Sequence, residues 1–528
     1  MRIVFNGSIT TNDPQIPHAS ALAIDAGRIV AVGTDEEILD GFGSHADKQN
    51  LNGRVIWPGL IDAHAHLEHY ARSLAMIDCE LPTKAEVIRR VAEKAKQTTP
   101  FEWIRGHGWN QNQWPEGFGT AEELDAAAPS NPVYLSAKSL HAGWANSAAL
   151  RAAGITASTP DPQDGQLVRD ANGFPTGILL EAAMELVEKA IPSHTVYQLV
   201  EMLRPAQQSL WEFGLTGVHD FDQSACFSAL QILDQASELK LRVVKSIPLS
   251  MLPEAIVLGL RTGFGSPFLS IGSVKLFSDG ALGPHTAAML QPYEDDPNNS
   301  GILFLDGEQI FEYGQQASAG GISMAIHAIG DRANHEVLHA YTQLRAFEDS
   351  RQIPRPRHRI EHVQILHPAD ISRLASLDII ASVQPIHATS DMHMADQYWG
   401  DRSQSAYAFH SLLERNTHLA FGSDAPVESP NPFLGIHAAV TRRRPDGKPS
   451  EEGWYPSQRL SLQQAIAGYT TGAAFAAGQE NYLGKLKKGY AADLIVLPED
   501  PEIIDPQEIW RIKPTATMVG GDWVWRSA

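Results

Sequence analysis

Several residues of this chain have types and positions that could hold a metal ion. His64 and His66 stand two apart at the end of an apolar run, GLIDAHAH (59–66). Polar groups close later apolar runs in the same way: His219 with Asp220, then Lys275, His327, His362 and Asp424. Imidazole nitrogens and carboxylate oxygens are ligands that zinc and neighbouring divalent ions take. An H-x-H pair alone arises by chance, and each later histidine taken singly reads as a core or loop residue. Lys275 alone would be an ion-pair partner, although a lysine inside an apolar strand is costly to bury charged. What joins these groups is position, each at the end of a predicted strand. For His219 and for His141, outside that series, the residues leave both readings open.

The elements that must place these groups read as βα units. Eight apolar runs occur at 59–66, 214–221, 241–249, 272–280, 320–331, 358–364, 378–385 and 418–426, with helix-compatible segments between them. Buried parallel strands read as continuous apolar runs, and their alternation with helices implies a parallel sheet. Eight units predict an α/β fold of the (β/α)8 TIM-like barrel type. The alternative is an open doubly wound sheet, but no Gly-rich dinucleotide fingerprint follows the first run. Alternate side chains of a barrel strand point inward, so His64 and His66 should share the C-terminal mouth, where such barrels build active sites.

About 150 residues separate the first two runs. A structureless loop of that length is not expected in a compact domain, so about 75–205 should be an inserted α/β subdomain. Both chain ends read as short strands, with a hairpin signal at Gly520-Gly521. The predicted domains are therefore a composite β-sandwich with halves at 1–57 and 481–528, and a barrel over 58–480.

Composition excludes several classes. Lys plus Arg is 41 and Asp plus Glu is 62, for a net charge of −21. Such a chain is a poor partner for nucleic acid or an anionic membrane. Two cysteines, Cys79 and Cys226, exclude a disulfide scaffold and fit a reducing, cytoplasmic setting. The first residues hold no signal-peptide core, and no run approaches the roughly 18 apolar residues of a membrane helix. A homodimer is the base-rate expectation.

In order along the chain stand PGLIDAHAH (58–66), GWNQNQWP (108–115), HAGWANSAAL (141–150), RDANGFPTGILLEAA (169–183), KLFSDGALG (275–283), HAIGDRA (327–333), RIEHVQ (359–364), GSDAPV (422–427) and GKLKKGYAADLIVL (484–497). In these segments the sequence resembles the amidohydrolase superfamily, specifically its amidohydrolase 3 branch of YtcJ-like and N-substituted formamide deformylase-like proteins. The resemblance implies His64, His66, Lys275, His327, His362 and Asp424 as metal ligands. It implies Asp424 as acid/base too, and Lys275 as a lysine that is often carbamylated and bridges two metals. Metal coordination would lower the pKa of bound water to roughly 7, and a carboxylate beside it could pass the proton to a leaving nitrogen.

The implied activity is metal-dependent hydrolysis of a non-peptide C–N bond in a small amide, N-acyl or N-formyl compound. Hydroxide on one or two divalent ions would attack, zinc being the default and iron or manganese suitable. The alternatives are hydrolysis of a cyclic amide, ester or carbamate, or a non-catalytic metal-binding regulator of the same fold. Asp279 and Asp331 read either as partners that orient a histidine or as helix caps. The sequence departs from the family pattern DGSLGSR at 279–285, where His285 replaces an arginine, and Ser139-Leu140 replace Asp-Gly before His141. Trp109, Trp114, His141, Asp279 and His285 are the candidate substrate contacts, with core packing the competing reading for the tryptophans.

Overall fold

All eight apolar runs become strands of one sheet in the computed structural model, which describes every residue except 112–113, 139–141, 164 and 528. The strands are β1 (Leu60–Ala65), β2 (Leu215–Asp220), β3 (Arg242–Pro248), β4 (Leu269–Phe277), β5 (Met324–Ala328), β6 (Arg359–His362), β7 (Ile380–Val383) and β8 (Leu419–Phe421). Each pairs in parallel with the next in chain order. Every residue of β1 and β2 is buried, which is why the runs read as continuously apolar. Helices between the strands have ordinary starts; Asp306, for example, forms a capping box on Gly307–Ala319.

The sheet closes between β8 and β1. Ala65 bridges Ala425, the Asp424 amide donates to the His64 carbonyl at 2.8 Å, and the His66 amide donates to Ala425 O at 2.9 Å. Gly422 permits this approach, because a Cβ there would meet the His64 nitrogen at 2.5 Å. Asp62 adds a clasp: its carboxylate accepts the Ser423 amide and hydroxyl. The seam thus brings the strand-one histidines to the strand-eight aspartate.

The chain forms two compact units, Met1–Tyr70 with Leu199–Ala528, and Ala71–Gln198. The first holds the barrel and two further sheets. One has the order Arg28–Gly33, Ala21–Asp25, Arg2–Phe5, Asp47–Asn50. The other runs Asp522–Arg526, Ala516–Val519, Leu494–Leu497, Val55–Pro58, Ser8–Thr10, His18–Ala19, so both chain ends share it. Its hairpin turns at Gly520 and Gly521, both at positive φ (56° and 81°), the pairing a tight two-residue turn demands. A shared core joins Val4, Leu22 and Ile56 to Leu494, Val496 and Met518.

The second unit is a six-stranded mixed sheet with short helices, among them Lys84–Ala95 behind its Thr83 cap. Its boundaries lie at 71 and 198, inside the expected 75–205 at one end and beyond it at the other. The late boundary shifts because Val196–Glu212 is one continuous helix leading into β2, burying Leu199, Leu203, Leu210 and Trp211.

Candidate metal centre

Strand ends bring four imidazoles and one carboxylate together. His64 Nε2 and His66 Nε2 each lie 3.4 Å from Asp424 Oδ1. The His362 ring stands 4.9 Å from the His64 ring and 4.6 Å from the His327 ring, centroid to centroid. Lys275 Nζ, buried in β4, lies 4.5 Å from the centre of the Phe221 ring and 5.0 Å from that of Phe277. Two ligand residues hold left-handed backbone, His362 at φ 75° and Asp424 at φ 61°. Such conformations cost free energy in non-glycine residues and cluster at functional sites.

Each imidazole is held from behind by an oxygen. His64 Nδ1 meets Glu361 Oε2 at 2.6 Å, and His66 Nδ1 meets Asp222 Oδ1 at 3.1 Å. His362 Nδ1 meets Gln384 Oε1 at 2.9 Å. His327 reverses the pattern, its Nε2 meeting the Gly280 carbonyl at 2.9 Å. A carbonyl oxygen accepts only, so His362 carries its proton on Nδ1 and His327 on Nε2. The opposite nitrogens, His362 Nε2 and His327 Nδ1, are then bare. An outer acceptor that fixes a histidine tautomer and orients its ring is the usual companion of a metal ligand.

The electrostatics fit a cation. Burial, joined by the Lys275 charge, pushes His64 down to about 4 and His327 to about 3, and burial with the His327 charge holds His362 well below its usual range. These three are neutral at pH 7, the form that binds metal. Burial opposes ionisation of Asp424, but the imidazoles of His64, His66 and His362 hold its carboxyl well below the usual range. At His64 a bare nitrogen therefore faces a carboxylate oxygen at 3.4 Å, two acceptors with no proton between them. A divalent ion satisfies both. At His66 burial is overcome by hydrogen bonds with Asp222 and Asp424, which push the imidazole up to about 9; a cation there would displace a proton. Burial brings the Lys275 amine down to about 8 against the pull of Glu361 and Asp424.

The other candidates have partners of their own. Trp109 and Trp114 are core residues of the 71–198 unit, packed with Trp144 at centroid distances of 5.9 to 6.3 Å. Trp109 is fully buried and donates its indole N–H to Leu135 O, so it has no face for a substrate. Trp114 donates to Leu81 O. Asp279 is buried and spends both oxygens on the amides of Ile329, Gly330 and Ala288. It thereby fixes the turn after β5, and lies 3.6 Å from His327 Nε2. Burial raises its carboxyl to about 7. Asp331 accepts the Leu290 amide at the start of its helix. His285 pairs with Asp295 at 3.1 Å and packs on the Tyr293 and Tyr398 rings. His219 Nδ1 is met by Arg359 Nη1 at 2.8 Å, and Asp220 by Lys245 Nζ at 2.9 Å. His141 lies outside the described residues.

Four residues escaped the sequence reading: Glu361, Asp222, Gln384 and His387. Glu361 carried a signal, because Arg359 and Glu361 stand two apart and so share the inner face of β6. His362, next in line, would face outward; its left-handed φ interrupts the alternation.

An eight-stranded α/β barrel with a histidine–carboxylate centre at the closing strands defines a class of metal-using barrels. The particular family follows from comparison: the chain belongs to the amidohydrolase family, whose model matches residues 48–525. It is 33% identical to the putative amidohydrolase YtcJ of Bacillus subtilis over the full length of both chains. It is 29% identical to the N-substituted formamide deformylase of Arthrobacter pascens, covering 98% of this chain and 97% of that protein. A crystal structure of an uncharacterized metal-dependent hydrolase from Pyrococcus furiosus superposes with a TM-score of 0.80 at 29% identity, over 95% of this chain and 99% of that one. The protein is thus an enzyme, an amidohydrolase. Among the described residues, no helix is long and apolar enough to cross a membrane.

Proposed function

We propose that this enzyme hydrolyses a non-peptide C–N bond in a small amide or N-acyl compound, N-formyl compounds included. The supporting observation is the donor set itself: imidazoles oriented from behind, with Asp424 Oδ1 3.4 Å from two of them. His64, His66, His327, His362 and Asp424 would hold a divalent ion, zinc by ligand type. Such an ion supplies Lewis acidity, lowering the pKa of a coordinated water to about 7 and polarising a carbonyl. Asp424, ionised at neutral pH, takes a proton from the attacking water and delivers it to the leaving nitrogen. Glu361, Asp222, Gln384 and the Gly280 carbonyl keep the four rings in place as charge moves.

Lys275 completes a two-metal reading. Its amine nitrogen would attack carbon dioxide and lose a proton to water, giving a carbamate whose anionic oxygens would serve as further metal ligands. Its position on β4 among these rings supports that role. Elemental mass spectrometry on protein purified without chelator tests both statements. About two equivalents of zinc, with bicarbonate needed to regain activity after reconstitution, is the expected result. One equivalent and no bicarbonate effect would refute the bridge, and no metal uptake would refute the hydrolase mechanism.

A further inference from the structure

One buried histidine beside Asp424 has no role in the site so far described. His387 lies in the short helix Pro385–Ser390, directly after β7. Its side chain is 8% exposed, and its Nε2 stands 4.0 Å from Asp424 Oδ2. That separation is too long for a hydrogen bond. Among the described residues this nitrogen has no hydrogen-bond partner. The ring lies parallel to that of His362, with 3° between planes and 6.2 Å between centroids.

The group behind the ring separates His387 from its neighbours. Each of the four other histidines meets an oxygen at its outer nitrogen. His387 Nδ1 instead meets the side-chain amide nitrogen of Gln364 at 3.5 Å, a group that only donates. With Nδ1 accepting, Nε2 carries the ring's N–H. An imidazole N–H cannot ligate a metal, but it can donate to an oxygen. Three of the other histidines, His64, His327 and His362, present lone pairs, His66 is held protonated between Asp222 and Asp424, and His387 presents an uncommitted donor on the other side of the same carboxylate.

Resting on the hydrolase reading above, we propose that His387 is a catalytic residue that donates its Nε2–H to the substrate carbonyl oxygen. As the water oxygen bonds to the carbonyl carbon, the C=O π pair moves onto oxygen, and His387 stabilises that charge. The pair returns when the C–N bond breaks and Asp424 protonates the leaving nitrogen. A donor about 4 Å from the proton-transferring carboxylate is placed where the oxygen of a carbonyl attacked beside that carboxylate would come to rest.

The test compares H387A and H387Q in the full chain by kcat, KM and metal content, using a panel of N-formyl amides and carboxylic esters. Losing one such donor costs roughly 10²–10³ in kcat. H387A should show that loss with KM and metal content unchanged, and H387Q, which keeps a side-chain N–H, should recover part of it. If H387A does not fold, H387M fills the volume without a donor and is read against H387Q. Loss of metal in H387Q would overturn the proposal and make His387 a ligand; wild-type kcat in H387A or H387M would overturn it outright. A wild type that cleaves esters and no amides refutes the C–N reading alone, because the variant ratio on the ester still decides His387. A wild type that turns over neither overturns both.

Discussion

Strand β6 carries a buried histidine at each end, and the two have opposite surroundings. His358, just before the strand, is fully paired: its Nδ1 accepts the Met324 amide at 3.0 Å and its Nε2 meets Glu348 Oε1 at 2.8 Å. Glu348 in turn accepts from Arg345 Nη1 and the Ser318 hydroxyl. His362, at the far end, is paired only from behind, and one of its ring nitrogens lies within 4.8 Å of an Asp424 carboxylate oxygen. Burial is similar, since both residues are under 5% exposed. A buried histidine with every hydrogen bond made holds the fold together. One whose free nitrogen faces other acceptors is poised for a cation, and the surrounding fold must supply the stability to keep it there.

That contrast can be broken most severely at the mouth. Replacing His64 and His66 together with alanine should strip the metal and drop activity to background, while far-UV circular dichroism stays native. Unchanged metal content would make the strand-one pair structural. Asp424→Asn should lose kcat by about 10²–10⁴-fold with much of the metal retained, as steady-state kinetics and elemental analysis would read. Full activity in that variant would remove the acid/base assignment. One layer out, Glu361→Gln keeps the shape but weakens the hold on His64. Metal affinity should fall about 10–100-fold in a chelator competition.

The smallest effect belongs to the paired end. Glu348→Gln should leave metal content and kcat unchanged and lower stability by roughly 1–3 kcal/mol. Burial opposes ionisation of Glu348, but His358, Ser318 and Arg345 outweigh it and bring the carboxyl down to about 2 from an ordinary 4.5. Burial pushes the His358 imidazole below its usual range, against the pull of Glu348. A carboxyl depressed on folding stabilises above its unfolded value and loses that contribution as pH falls through its folded one. The stability gap between wild type and the variant should therefore be full above about pH 4.5 and shrink toward pH 2. A gap independent of pH over that range would show that the carboxylate charge is not what the pair contributes.

Much of the barrel was readable along the chain because each strand is buried on both faces. Its apolar run is continuous, and polar residues at its end stand out against it. The long interval before β2 raised the expectation of an inserted unit, since a structureless loop of that length is not expected in a compact domain; residues 71–198 form a compact unit of their own. The tryptophans show the limit. Trp109 and Trp114 read as candidate substrate contacts, but in space they stack on each other and pack edge-on against Trp144 in one core, a choice made by sheet pairing between Ile104–Trp109 and Val133–Ala137. Local sequence cannot distinguish an aromatic that lines a pocket from one that fills a core.

The sequence by itself determined the strand order, the residue types at the strand ends and so the class of chemistry, because burial and ligand character are properties of residues and their neighbours. Only the tertiary structure decided which nitrogen of each imidazole is free. Glu361 is 297 positions from His64, and Asp222 is 156 from His66. Tautomers follow from hydrogen bonds, and these hydrogen bonds exist only once the barrel has closed between Ala65 and Ala425.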